Sequence, residues 1–171
     1  VIDQQALELP PTVMECVGLW FRAPAEIAEE LAARGRHLLG SLHAAEHATI
    51  GLFPLLALCD RNDLGGISLA FNPQLDGAGV FVYEGHPGGM GIAKKGFREL
   101  ETLLAKVRDH VANCACEDGC PSCIQSPKCG NGNRPLDKRG AVEIARELAA
   151  GAEGATIETR TDNQAATAIR T

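Results

Sequence analysis

The sequence predicts an α+β domain: a small, mostly antiparallel sheet packed against three or four helices, with a cysteine-rich zinc loop. Three observations lead there. Two short strand-like runs flank a turn-rich connection. Several longer segments carry apolar residues at helical spacing. Five cysteines (Cys114, Cys116, Cys120, Cys123 and Cys129) then crowd into the run CACEDGCPSCIQSPKC.

The elements follow in order. Residues 12–22, TVMECVGLWFR, are rich in β-branched and aromatic types and read as a strand. Pro24 opens a helix with Glu26, Glu29 and Glu30 near its start, where the helix dipole favours acids. Gly35 interrupts it. A second helical pattern from about Arg36 to Leu58 is apolar almost all round, as expected of a buried central helix, with Pro54 as a kink point. Asp60, Asn62, Asp63, Gly65 and Gly66 read as a polar turn. ISLAF (67–71) and GVFVYEG (79–85), joined by NPQLDGA, read as a β-hairpin.

The glycine-rich HPGGMG (86–91) leads into one amphipathic helix bearing Ile92, Phe97, Leu100, Leu103, Leu104, Val107 and Val111. That helix ends at Cys114. Asp137 is the expected N-cap of a last helix, on which Ala141, Val142, Ile144, Ala145 and Leu148 repeat at helical spacing. From Gly151 the apolar periodicity fades. The expected organisation is one zinc-binding domain over 1–150 and a polar tail or linker over 151–171. No internal repeat is visible.

Composition limits the function classes. The chain has 171 residues, enough for one domain with its own core. Its formal charge of −6 gives no global attraction for nucleic acid. Aromatic residues make up only 4 %, which argues against single-strand binding on stacked aromatic platforms. The most apolar run, IGLFPLLALC, is too short to span a membrane and contains Pro54. Val1 opens in mid-pattern without Met, as expected of a piece of a longer chain.

The cysteine run carries the most specific chemistry. Clustered thiolates suit tetrahedral Zn²⁺, and Cys120-Pro121-Ser122-Cys123 has the C-x-x-C spacing of a zinc knuckle. Cys114 and Cys116 would face opposite ways on a strand, so both reach one metal only if the backbone turns between them. Disulfides, a thioredoxin-like redox pair and an iron–sulfur cluster are the alternatives. An odd total of seven cysteines and the lack of an N-terminal apolar segment weigh against a secreted disulfide framework. Cys16 and Cys59 sit in apolar runs and are expected to be small buried residues.

Two other runs invite a chemical reading. His43-Ala-Ala-Glu46-His47 matches the H-x-x-E-H pattern of zinc peptidases, with two imidazoles on one helix face and a carboxyl to activate water. No downstream acidic ligand is identifiable, so core hydrogen bonding is the plainer expectation. Tyr83 to Gly91, YEGHPGGMG, joins a strand to a helix, a geometry that can bind anions, but lacks the Walker A and dinucleotide spacings. Lys94, Lys95, Arg98, Lys106 and Arg108, and Lys128, Arg134, Lys138 and Arg139 near the cysteines, are local cations that could meet a phosphate backbone or simply be solvated.

Taken in order, HAAEHA, LCDRNDLGG, FVYEGHPGGMGIA and C-x-C-x3-GCPSCIQSPKCGNGN make the chain resemble, over roughly 12–150, the C-terminal MrfA-type zinc-binding domain of DEAD/DEAH-box (superfamily two) helicases. The resemblance implies a parent that is an ATP-dependent 3′-to-5′ DNA helicase or translocase of DNA repair, active in the cytoplasm. It implies a structural Zn²⁺ held by Cys114, Cys116, Cys120 and Cys123, with Cys129 an additional thiol. The implied partners are the motor lobes of the same polypeptide and single-stranded DNA, with no membrane. No G-K-[ST] loop and no D-E-x-H box occur in this sequence, so the chain alone is not expected to hydrolyse ATP, and no catalytic residue is assigned. The competing readings are a zinc hydrolase using His43, Glu46 and His47, and a stand-alone zinc-stabilised interaction module.

Overall fold

The computed structural model describes residues 13–151. The expected tail therefore lies, but for Gly151, outside the described residues. Among those described, three strands form one antiparallel sheet, β1 (Gly18–Arg22), β2 (Leu64–Asn72) and β3 (Gly77–Glu84), in the order β1-β3-β2. Five helices accompany it: α1 (Ala25–Ala33), α2 (Leu38–Leu52), α3 (Ile92–Arg98), α4 (Leu100–Asn113) and α5 (Lys138–Gly151).

The expected antiparallel α+β class holds, with several boundaries moved. The first strand is shorter than 12–22, because only Gly18–Arg22 finds a partner, pairing Leu19 with Val82 and Phe21 with Val80. Cys16 lies before the strand and is exposed, contrary to the expectation of burial; Cys59 is half-buried against the core. Gly65 and Gly66 belong to β2 rather than to a turn. They are glycines because of what covers them: a Cβ on Gly65 would sit 2.4 Å from the Tyr83 ring, and one on Gly66 2.7 Å from Glu46 Oε1. The polar turn is confined to a 3₁₀ segment, Arg61–Asp63, held by a reciprocal capping box between Asp60 and Asp63.

Helix α2 is the centre of the fold, as its all-round apolar pattern predicts. It packs on β2 and β3 to one side and on α4 and α5 to the other. Leu42, Ala44, Ala45 and Ala48 meet Leu103, Leu104, Val107 and Val111 of α4 and Ala141, Ile144 and Ala145 of α5 in one core. It ends at Leu52, six residues before the expected Leu58. Pro54 lacks an amide hydrogen, and the chain tightens there into a 3₁₀ turn over Phe53–Leu55. Phe53 is fully buried and presses on Gly96 of α3.

The single helix expected from Ile92 onward is two. The backbone at Glu99 leaves the helical region at φ −117°, ψ 24°, separating α3 from α4. The split lets α3 lie against β1 and β3 while α4 packs on α2 and α5. Asp137 caps α5 as expected, its Oδ1 accepting from the Gly140 amide at 2.9 Å. Arg34 at the end of α1 bonds Glu143 of α5 at 2.7 Å.

Among the described residues, the face of the sheet turned away from α2 is only partly covered. Trp20, Phe81 and Ile67 align there in one cross-strand row, with Trp20 55 % exposed.

Candidate metal centre

Helix α4 delivers Cys114 at its C-terminal cap, where the backbone turns extended at φ −69°, ψ 128°. The Cys114 and Cys116 sulfurs nonetheless reach one point, since both belong to the same convergent group. The knuckle half is a tight turn in which the Cys123 and Ile124 amides both donate to the Cys120 carbonyl, at 3.0 and 3.1 Å. Gly119, at φ +114°, gives the backbone freedom needed to enter it. Ile124 is fully buried and anchors the turn in the core.

The sulfurs of Cys114, Cys116, Cys120 and Cys123 converge, all within 4.8 Å of one another. Cys114 to Cys120 is 3.6 Å, Cys116 to Cys123 3.4 Å and Cys120 to Cys123 3.7 Å. A tetrahedron with Zn–S bonds of about 2.3 Å has edges of about 3.8 Å. The donor set and its spacing therefore fit one tetrahedral thiophilic ion, and the separations are far longer than the S–S bond of a disulfide, about 2.05 Å.

The thiols of the knuckle are shifted in opposite directions. A backbone amide bond from Ser122, then the neighbouring Cys114 thiol, draw the Cys120 pKa down to about 7. Burial pushes Cys123 up to about 12. Without a cation the crowded sulfurs hold protons they would surrender to a metal. Lys138 is buried at the start of α5, and its ammonium donates to the Cys114 and Cys116 carbonyls at 2.7 and 2.5 Å. His110 Nε2–H bonds the Ser122 carbonyl at 2.7 Å, tying α4 to the knuckle.

Cys129 stands apart. Its sulfur lies 3.4 Å from His43 Nε2, and it joins His43 and His47 in a second convergent group. His43 Nδ1 bonds the Pro135 carbonyl at 2.9 Å and His47 Nδ1 the Ile124 carbonyl at 2.8 Å. Burial, the largest influence, holds the His47 pKa below its usual value. Glu46 turns elsewhere, against Gly66 and Ser68 of β2, where burial raises its pKa to about 7. The H-x-x-E-H motif is thus divided: its carboxyl is outside the group its histidines form, which removes the base a peptidase would need.

The glycine-rich turn does bind an anion, but an internal one. The fully buried Glu84 carboxylate accepts from the Met90 amide and, at 2.9 Å, from Ala93 at the start of α3. Sequence reasoning missed Glu84 as a structural anion; its place at the end of β3, just before the glycines, was the available signal. The local cations also sort differently from expectation. Lys138 is spent on the cysteine loop, and Lys128 Nζ donates to the Arg61 and Leu64 carbonyls. Lys94, Lys95, Arg98, Lys106, Arg134 and Arg139 remain exposed. No helix among the described residues is long and apolar enough to cross a membrane.

Comparison with known proteins gives the same picture. The family model of the MrfA Zn-binding domain matches residues 45–124, from the middle of α2 to the end of the knuckle, and so includes all four convergent cysteines. An uncharacterized protein of Methanocaldococcus jannaschii is 43 % identical over 110 residues, 63 % of this chain and 98 % of that protein. The ATP-dependent helicase HRQ1 of Saccharomyces cerevisiae is 23 % identical over 92 % of this chain, which spans only 16 % of the helicase. The helicase YprA of Bacillus subtilis is 32 % identical over 51 % of this chain and 11 % of its own length. Among solved structures, the DUF1998 helicase MrfA bound to DNA matches with a TM-score of 0.54 and 25 % identity, over 65 % of this chain and 14 % of that one. The chain belongs to the MrfA Zn-binding domain family.

Proposed function

We propose that this chain is the zinc-stabilised accessory domain of an ATP-dependent DNA helicase, with Cys114, Cys116, Cys120 and Cys123 as the ligands of one structural Zn²⁺. The observation that carries the ligand assignment is the convergence of four sulfurs at tetrahedral spacing. The ion supplies folding energy, roughly 10–16 kcal/mol of apparent binding for sites of this kind at neutral pH. It joins the end of α4, the knuckle and, through Lys138, the start of α5.

The helicase context rests on relatives that are named ATP-dependent helicases and are several times longer than this domain. The outer sheet face supports it too. The Trp20–Phe81–Ile67 row is an apolar strip of the kind that packs against another body, and motor lobes of the same polypeptide are the fitting occupant. The exposed cations of α3 and α4 offer a route for single-stranded DNA. On this reading the protein works in the cytoplasm, in DNA repair, and the chemistry lies in the motor.

The test has two arms. Zinc analysis of the wild-type chain and of Cys120→Ser should show loss of one ion in the variant; an unchanged content would reject the ligand set. The gene's reading frame should also encode a P-loop ATPase core. A frame without one would leave the stand-alone zinc-stabilised interaction module that the sequence also raises. A gel shift with single-stranded DNA that weakens as salt rises would support DNA contact, and no binding at low salt would make the role purely architectural.

A further inference from the structure

We propose that His43, His47 and Cys129 form a second metal site, a His₂Cys centre for Zn²⁺ that locks the 124–137 loop onto the central helix. His43 and His47 stand one turn apart on α2, and their rings meet edge to face with centroids 4.3 Å apart. Cys129 reaches them from the loop, and one ligand atom from each of the three residues lies within 4.8 Å of the others. The His43 Nε2 to Cys129 Sγ separation of 3.4 Å is close to the edge of about 3.6 Å expected when nitrogen and sulfur bind one tetrahedral zinc.

The hydrogen bonding fixes the chemistry of each donor. A carbonyl oxygen can only accept, so the contacts to Pro135 and Ile124 place the proton of both imidazoles on Nδ1. Each Nε2 is then left with its lone pair. Backbone carbonyls orienting metal-binding histidines in this way are a regular feature of zinc sites. The Cys129 sulfur accepts from the Asn133 backbone amide at 3.2 Å, which fixes its position facing the two imidazoles. Asn133 in turn bonds Ser126 through both ends of its amide, at 2.7 and 3.0 Å, so the loop that carries Cys129 is pre-shaped.

Two nitrogens and one thiolate make a borderline-soft set that suits zinc. Glu46 is not within this group, so the site is a clamp and not a hydrolytic centre. Its mechanical effect is specific: the four-cysteine centre ties α4 to the knuckle, and this one ties the continuation of the knuckle to α2.

The experiment is reconstitution of the whole chain with ¹¹³Cd²⁺ and with Zn²⁺, each in excess and then desalted. The proposal expects two bound ions and two well-separated cadmium resonances, one in the range of four thiolates and one upfield, where nitrogen donors replace sulfur. Cys129→Ser and His47→Gln should each lose only the upfield resonance and one equivalent of zinc, while helical circular dichroism stays unchanged. One resonance and one ion in the wild type would overturn the proposal. So would two ions that both persist in the two variants. Because the wild-type spectrum decides the matter by itself, a variant that fails to fold does not rescue it, and loss of the four-thiolate resonance instead would count against the ligand set of the first site.

Discussion

The ammonium of Lys138 bonds the carbonyl oxygens of Cys114 and Cys116, so the first residue of α5 closes the cysteine loop that follows α4. A zinc ion bound by four thiolates carries two net negative charges, and Lys138 is the buried cation beside them. Lys138→Met removes that charge and leaves both carbonyls without their donor. The expected cost is about 1.5–3 kcal/mol in urea unfolding of the metal-loaded chain, with faster zinc loss to a chelator. Equal stability and equal zinc retention would show that the lysine is merely accommodated.

Glu46 makes stability fall as pH rises. Its carboxyl is buried, and burial lifts its pKa from 4.5 to about 7 in the folded chain. An acid with a raised folded pKa is neutral and harmless below its unfolded pKa; the contribution is lost as pH climbs through the folded value. Between about pH 4.5 and 7 the wild type should therefore lose stability relative to Glu46→Gln, by at most about 3 kcal/mol. Urea unfolding across that window checks this. Parallel curves for the two proteins would mean that Glu46 is solvated.

Glu84 is a buried acceptor on which two backbone amides depend. Glu84→Gln replaces one accepting oxygen with a donor facing N–H groups at the start of α3. A loss of roughly 1–3 kcal/mol is expected, with amide exchange quickening first at Met90 and Ala93. Unaltered exchange there would contradict the role given to this anion.

Gly96→Ala separates packing from helix propensity. Propensity alone favours alanine within α3 by up to about 1 kcal/mol. A Cβ at Gly96, however, would lie 2.2 Å from the buried Phe53 ring. Overpacking should win, giving a net loss of about 1–3 kcal/mol by thermal or urea unfolding. A stabilised variant would show that α3 can shift away from Phe53.

Residues whose pattern is local were legible in the sequence. The all-round apolar helix, the hairpin, the Asp137 cap and the cysteine spacing each announce themselves over a few positions. What stayed hidden depends on distant partners. Glu99 breaks a continuous helical pattern because β1 and α2 pull its two halves onto different layers, and no residue there signals a stop. Gly65 and Gly66 look like turn residues until Tyr83 and Glu46 are seen lying over them. Cys129 reads as a spare ligand of the knuckle, yet the loop carries it 86 positions back to His43. The H-x-x-E-H motif suggested one site; burial of Glu46 against β2 separates it from its histidines.

The most direct test of the account is the zinc content of the Cys120→Ser chain against the wild type, read together with near-ultraviolet circular dichroism. The account predicts a fall of one zinc per chain and loss of fixed tertiary packing around the knuckle, α4 and α5. Full zinc retention with native packing in Cys120→Ser would contradict it.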